Sequence, residues 1–261
     1  MKRVIFIVSA IVLSLTFATT GAWAKGPEES LASKVAALEA TVAALQEQLA
    51  GYQALFNYVR VDENEINGLA GPHVIFEGAN VHIRSGAGAT NDNPLAEEGV
   101  TLSGLGNLIV GYNEDDPYFT FTRTGSHNLV VGPYHSYESH GGFVTGFFNT
   151  VTGENASVSG GTYNQASGYY SSVSGGAKNI ASGNNSSVSG GFDNEASGGA
   201  SSISGGSANK AMGVSSSAGG GYFNKAQGRH SSVSGGSFNE ASGDYSSVSG
   251  GYSNKASGYW R

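Results

Sequence analysis

The sequence predicts an all-β repeat fold, a parallel β-solenoid (or β-roll) with 15-residue coils, preceded by an N-terminal coiled-coil helix. Two patterns predict it: a 15-residue repeat from Val158 onward, and apolar residues spaced by four and three between Leu31 and Val59. Composition is the third observation. Although 41 of the 261 residues are Gly, 39% are hydrophobic and 10% aromatic, which argues against a disordered linker.

The first residues have the pattern of a secretion signal. A basic start at residues 1–3 precedes an uncharged apolar run at 4–17, and Ala-Trp-Ala at 22–24 forms a signal-peptidase site. We predict a signal peptide over residues 1–24 and an exported, soluble mature chain without a transmembrane segment. The alternative is an uncleaved membrane anchor over residues 4–22.

Residues 29–61 predict one coiled-coil helix. Its apolar residues alternate by four and three through Leu31, Val35, Leu38, Val42, Leu45, Leu49, Tyr52, Phe56 and Val59. This spacing places a narrow apolar stripe on one helix face, which requires a partner helix. We predict a trimer seam at Val35, Leu38, Val42, Leu45, Leu49, Tyr52 and Phe56. The alternative is an amphipathic helix packed on its own domain.

The internal repeat predicts the architecture. Its unit reads S-S-V-S-G-G-x-x-N-x-A-S-G-x-x, and less regular copies at 107–113, 128–134 and 143–153 extend the repeat domain to 107–261. The central apolar residue is Val158, Val173, Val188, Ile203, Ala218, Val233 and Val248. The asparagine is Asn164, Asn179, Asn194, Asn209, Asn224, Asn239 and Asn254. A regular unit of this length predicts a solenoid.

Each unit holds two short extended pieces with glycine corners. Coils stacked ~4.8 Å apart form parallel sheets, and an Asn at one place in every coil forms a ladder of amide hydrogen bonds. We expect Val and Ala to point inward and the variable pairs to lie outside at the turns. This core is small against an ordering cost of ~1 kcal/mol or more per residue, so we predict that the rolls pack together as a parallel homotrimer.

The Val-x-Gly and Asn-x-Ala-Ser-Gly motifs between Asn107 and Arg261 resemble the head repeats of YadA-like trimeric autotransporter adhesins. That resemblance implies a left-handed parallel β-roll of the haemagglutinin type and a trimer. Two departures limit it. Here the helix precedes the roll, whereas those heads usually lie outermost at the N-terminus, and no C-terminal membrane anchor follows the repeats. We therefore expect neither autotransport nor outer-membrane anchoring.

Residues 62–106 are predicted to form a β-rich connector that caps the first coil. Residues 73–84 alternate around Gly78-Ala79-Asn80, as expected of two paired strands. An uncovered solenoid end exposes a sheet edge, so we expect this pair to cover it. Residues 85–99 and 113–117 are predicted as loops.

Candidate chemistry is weak, and we predict no enzyme, no cofactor and no metal site. The chain has no Cys, no nucleophile elbow and no phosphate-binding loop. Asn113, Glu114, Asp115 and Asp116 offer oxygen ligands for Ca²⁺, but a solvated acidic turn is favoured. His135 and His140, with Tyr134, Tyr137 and Glu138, offer a metal cluster, but ordinary surface histidines are favoured.

The variable turn residues are the candidate contact surface. Exposed aromatic rings stack on sugar rings or apolar surfaces, and the alternative is that they pack over neighbouring coils or chains. The candidates are Tyr163, Tyr169, Tyr170, Phe192, Tyr222, Phe223, Phe238, Tyr245 and Tyr252. The residues after each Asn predict cross-coil charge pairs, at Glu195–Lys210 and Lys225–Glu240–Lys255.

These features predict a secreted structural or adhesive protein, a rigid trimeric rod at a bacterial cell surface that presents a repetitive surface for attachment. The expected partners are further copies of itself and an extracellular glycan or protein. The net charge of −7 argues against nucleic acid. The alternative is a ligand-binding solenoid that recognises polysaccharide or ice, although its Ser-x-Ser rows are interrupted by aromatics.

Overall fold

The computed structural model of the chain describes residues 30–98 and 101–258. The predicted signal peptide lies outside the described residues. The described residues divide into two compact units, one ending at Val81 and the other beginning at His82. This boundary falls inside the predicted connector.

The first unit begins with the predicted helix, α1 (Leu31–Phe56). Ser30 caps it, because its hydroxyl accepts a 3.2 Å hydrogen bond from the Ser33 N–H, one of the donors left without a partner at a helix start. The helix ends at Phe56, so it is shorter than the predicted 29–61. Val59, the last residue of the predicted apolar stripe, instead begins a strand, because residues 59–62 find a pairing partner further along the chain.

That partner corrects the predicted hairpin. Strands β1 (Val59–Asp62) and β2 (His73–Phe76) pair antiparallel, with Val59 opposite Phe76 and Asp62 opposite His73. The prediction of two strands within residues 73–84 is wrong, since residues 81–84 form no strand. Residues 59–62, just after the helix, thus pair with residues 73–76, in the place predicted for residues 81–84.

The second unit is a parallel β-solenoid of about nine turns, which confirms the predicted repeat fold. Ten strands form one sheet: β3 (Leu108–Val110), β4 (Leu129–Val131), β6 (Phe143–Thr145), β8 (Ser157–Val158), β10 (Ser172–Val173), β12 (Ser187–Val188), β14 (Ser202–Ile203), β16 (Ser217–Ala218), β18 (Ser232–Val233) and β20 (Ser247–Val248). Nine form the other: β5 (Ser136–Tyr137), β7 (Thr150–Val151), β9 (Gln165–Ala166), β11 (Ile180–Ala181), β13 (Glu195–Ala196), β15 (Lys210–Ala211), β17 (Lys225–Ala226), β19 (Glu240–Ala241) and β21 (Lys255–Ala256).

Register follows the sequence repeat. Ser172 lies opposite Ser187 and Ile180 opposite Glu195, each exactly one 15-residue unit apart. The central apolar residue of the first sheet and the Ala of the second point inward and are almost fully buried in the regular coils, as for Val188 and Ala196. The last coil is less enclosed, since Ala256 is only partly buried. The solenoid core is therefore one narrow column of Val and Ala.

The asparagines form the predicted ladder, but mostly not through side-chain pairs. The Asn194 carboxamide oxygen accepts from the Asn209 backbone N–H at 2.9 Å, and its amino group donates to the carbonyls of Gly190 and Gly206 at 3.0 Å. The same backbone connection recurs from Asn149 to Asn254. Each Asn thus gives the buried N–H of the next Asn its partner and adds a donor to two corner carbonyls, one of which, as at Gly206, also accepts from a backbone N–H.

The beginning of the solenoid is less regular. Leu108 is paired with Leu129, because a loop separates the first two strands of the ten-stranded sheet, and Leu129 is paired with Phe143, only 14 residues on. The cap of the first coil was predicted in residues 73–84. Within the second unit, that coil is contacted from the predicted loop at residues 85–99, where Asp92 accepts from the Ser126 hydroxyl, and from Ser103 and Gly104 just after it.

Candidate functional site

The predicted contact aromatics lie at two turns of the coil. Turn A precedes each ladder asparagine, as Phe192-Asp193 precede Asn194, and turn B follows the second glycine corner, as Gly199-Ala200 follow Gly198. Turn A carries Tyr163, Phe192, Tyr222, Phe223, Phe238 and Tyr252; turn B carries Tyr169, Tyr170 and Tyr245. All nine are exposed by 40–72% in the single chain. Their role in contact stays a prediction.

The second residue of turn A has a left-handed backbone. Its φ is +55° at Tyr163, +52° at Phe223 and +57° at Phe238, values that bulky residues seldom adopt. The turns are held in place by the coil before, since the Phe238 N–H donates to the Tyr222 carbonyl at 2.9 Å. Successive rings therefore project from equivalent points, one rung per coil.

These rings stack on one another. Ring centroids are 4.7 Å apart in Tyr134–Phe148, 5.0 Å in Phe148–Tyr163 and 5.5 Å in Phe223–Phe238, with interplanar angles of 22°, 18° and 6°. Tyr134 and Phe148 were not among the predicted contact residues, because the early coils depart from the repeat. Stacking along the column covers ring faces and leaves ring edges toward solvent, which favours the predicted packing over neighbouring coils at these rungs.

The column of stacked rings is interrupted. Between Tyr163 and Phe223 the same turn position holds Lys178, Asp193 and Ala208, all with φ of +56° or +57°. The Lys178 ammonium lies 5.6 Å from the ring centre of Phe192 in the next coil. Two aromatic stacks on one edge of the solenoid are thus separated by three coils whose residue at this position is not aromatic.

The charge pairs form in part as predicted. The Lys210 ammonium lies 2.6 Å from the Glu195 carboxylate, and that of Lys255 lies 3.1 Å from Glu240. Lys225 is opposite Glu240 in register, yet no ion pair joins them among the described residues. Exposed pairs of this kind contribute only ~0–1 kcal/mol, so they stabilise the face modestly.

His135 is a buried ladder residue, so its prediction as a surface histidine is wrong. Its Nδ1 accepts from the Asn149 N–H at 3.2 Å, and its Nε2 donates to the Val131 carbonyl at 3.1 Å. These are the bonds that an Asn makes in the regular coils. Burial lowers the pKa of the imidazole, which keeps it neutral. His140 is separate, with its Nε2 3.9 Å from the Glu154 carboxylate.

The acidic turn at residues 113–116 is tied down by Arg123. The guanidinium donates to the Asp115 carboxylate at 2.7 Å and to the Glu114 carbonyl at 3.0 Å. Asn113 is buried, and its side-chain oxygen accepts from the His135 N–H at 2.7 Å. Among residues 30–98 and 101–258, no group of three His, Asp or Glu side chains is arranged to hold a metal ion.

A buried carboxylate near the start of the second unit was missed by the sequence reasoning. Asp92 accepts hydrogen bonds from the hydroxyls of Ser126 at 2.6 Å and Ser103 at 2.7 Å, from the Ser103 N–H at 2.7 Å, and from the Ser85 hydroxyl. Burial alone would raise the pKa of Asp92, but these donors outweigh it and hold the pKa well below its usual range. A lone Asp in a polar loop gives no sequence signal for this role, which is structural.

The seam residues of α1 are all exposed in the single chain. Val35, Leu38, Val42, Leu45, Leu49, Tyr52 and Phe56 have 45–65% of their surface accessible, and no residue of the helix is buried. The alternative of a helix packed on its own domain finds no support in this burial. Among the described residues, no helix is long and apolar enough to cross a membrane.

Comparison with known proteins adds one match. The family described as the ubiquitous surface protein adhesin repeat matches residues 186–198, most of one regular coil from Ser186 to Gly198. No curated protein matches the chain. The matched coil contains the inward Val188, the ladder Asn194 and the inward Ala196.

The match and the geometry agree. An adhesin repeat within a stack of 15-residue parallel coils fits an adhesive repeat protein, and it points to a structural role rather than catalysis. Both findings fit the head repeats of YadA-like trimeric autotransporter adhesins.

Proposed function

We propose that this chain is a secreted adhesive protein of a bacterial surface, assembled as a parallel homotrimer in which α1 joins the chains and the solenoid makes the adhesive contacts. The observation that carries the proposal is the adhesin repeat in a solenoid whose turns recur every 15 residues. A contact that recurs in every coil and in every chain gains strength by multivalency, even if each contact is weak.

The exposed seam supports self-association through α1. Seven apolar residues in a 3-4 spacing lie on a helix that buries none of them within the chain. An unpaired apolar stripe of this length is costly in water, whereas the same stripe in a parallel bundle forms the core positions of a coiled coil. The positions between them are mostly Ala, Gln and Glu, which offer little else to a partner.

The Gly-Gly corner supports close approach of another chain at the solenoid. The second Gly of each pair has a reason within the chain to be glycine. At Gly191 φ is +90°, and a Cβ would overlap the Gly206 carbonyl of the next coil. The first Gly has none. At Gly175, Gly190, Gly205 and Gly235 the backbone is ordinary and a Cβ would meet nothing within 4 Å. A glycine without an internal reason is typical of a site where another backbone approaches closely.

The test removes coils and measures adhesion. Variants lacking one, two and three 15-residue units, beginning with residues 191–205, should keep the fold, because each coil contacts only its neighbours. Binding to fixed epithelial cells, immobilised collagen and mucin should fall steeply with each coil lost.

A helix replacement is the matched control. Deleting residues 30–57 should lower the mass and the adhesion together, and an unrelated trimeric coiled coil in their place should restore both. Adhesion that survives coil loss but is not restored by the foreign helix would place the binding surface on α1 and overturn the proposal.

A further inference from the structure

Where the column of stacked turn A rings is interrupted, the absence of a ring at Ala208 leaves a slot. In successive coils Asp193, Ala208 and Phe223 occupy the same turn position, and the N–H of each is bonded to the coil before: Asp193 to the Ala177 carbonyl, Ala208 to Phe192 and Phe223 to Ser207. Rungs are ~4.8 Å apart, so the Phe223 and Asp193 rungs are ~9.6 Å apart with only a methyl group between them. We call this space the Ala208 slot.

One wall of the Ala208 slot is an aromatic face. Phe238, in the next coil, stacks on Phe223 at 5.5 Å and 6°, so the two rings are nearly parallel and one face of Phe223 is covered. Among the described residues no aromatic ring stacks on the opposite face of Phe223, the one toward Ala208. Ala208 itself is only 9% exposed, so it lies at the bottom of a recess rather than on a convex turn.

The other wall is polar. Asp193 is exposed, and no ion pair engages its carboxylate among residues 30–98 and 101–258. A ring that fits here must present C–H bonds to Phe223, since the aromatic face is electron-rich, and hydroxyl groups to Asp193, since an ionised carboxylate accepts strong hydrogen bonds. An all-apolar ring would leave the carboxylate desolvated and unpaired.

Resting on the proposed adhesive function, we infer that the Ala208 slot binds a neutral pyranose with one C–H-rich face, of the β-galactoside type. The sugar stacks on Phe223 above Ala208 and donates a hydroxyl hydrogen bond to Asp193. A trimer presents three such slots, which turns a weak monosaccharide site into an adhesive one.

The test fills the slot with the missing ring. Ala208→Phe places an aromatic residue where φ is +56°, a backbone that Phe223 and Phe238 already adopt at +52° and +57°. Ser253→Phe is the matched control: it has the same turn position and a φ of +55°, and it extends the stack beyond Phe238 without closing the slot.

Saturation-transfer NMR with methyl β-galactopyranoside is the measurement, on full-length chain of verified mass. Wild type and Ser253→Phe should show transfer to H3, H4 and H5 of the sugar, and Ala208→Phe should bind at least about tenfold more weakly. Equal transfer in all three proteins, or none in the wild type, overturns the inference. A lower assembly mass for Ala208→Phe alone also overturns it, because the slot then holds a side chain of a second copy.

Cell adhesion separates this inference from the proposed function. Adhesion lost in Ala208→Phe together with sugar binding supports both. Adhesion that falls with coil deletion yet persists in Ala208→Phe overturns the slot and leaves the adhesive function standing.

Discussion

Helix α1 and the regular coils of the solenoid differ in whether their apolar side chains are buried within the chain. Every regular coil buries its own Val or Ala side chains and pairs its corner backbone through an Asn, all within one chain. Helix α1 buries no residue. The coil therefore buries its apolar side chains within the chain, whereas the apolar stripe of the helix finds no burial there.

This difference assigns the two regions different sensitivities. A substitution inside a coil acts on the free energy of unfolding of the single chain, since the contacts it removes are internal. A substitution on the α1 seam, where no residue is buried within the chain, should act on the proposed association instead. Four substitutions sharpen the comparison on the coil side, taken from the largest expected effect to the smallest.

A charge in the core column should do the most damage. Val188 is fully buried, so Val188→Asp places an unpaired carboxylate in a dry interior and should cost several kcal/mol of unfolding free energy. Thermal or urea unfolding followed by circular dichroism measures it. Phe192→Ser, at an exposed turn of the same coil, is the control and should cost far less. Equal losses would mean that the inward and outward assignments are wrong.

Breaking the ladder should come next. Asn194→Ala leaves the buried Asn209 N–H unpaired, at about 1–3 kcal/mol, and removes one donor from each of the carbonyls of Gly190 and Gly206, of which Gly206 keeps the Phe192 N–H. The control is Asn184→Ala, because the Asn184 side chain accepts only from the exposed Tyr169 N–H. A urea midpoint for Asn194→Ala that matches the control would show that the ladder contributes little.

The buried His135 predicts a dependence on pH. Its folded-state pKa is lowered, so the native protein binds fewer protons than the unfolded chain, and stability should fall as the pH drops below about 6.5. His135→Asn restores the residue that the other coils use and should flatten the unfolding free energy between pH 7 and 5. His82→Asn, at an exposed position, should leave the slope unchanged. An unaltered slope in His135→Asn would exclude His135 as its origin.

A buried serine should matter least. The Ser186 hydroxyl is buried and makes no hydrogen bond to another described residue, and the equivalent position one pair of coils earlier holds Ala156. Removing an unpaired hydroxyl should leave the free energy of unfolding unchanged or increase it by up to about 1 kcal/mol. The melting temperature should accordingly stay the same or rise. Ser187→Ala on the outer face is the comparison. A clear loss in Ser186→Ala alone would mean that the hydroxyl has a partner.

The sequence predicts the coils well and the joins between regions poorly. The 15-residue period fixes which residues point inward, and Val188, Ala196 and Asn194 lie where the pattern places them. Residues 59–61 were misassigned to the helix because antiparallel pairing with the strand at residues 73–76 is a nonlocal contact that a heptad pattern does not reveal. His135 and Asp92 were missed for a similar reason: their partners lie 14 and 34 residues away along the chain.

The central claim is that the apolar seam of α1 associates with the same helix in other copies of the chain. The mass of the full-length mature protein in solution tests it most directly. Sedimentation equilibrium at micromolar concentration should give three times the chain mass. Leu45→Asp on the seam should lower that mass, while Glu47→Gln beside it should not. A stable wild-type monomer whose seam stays exposed would contradict the account.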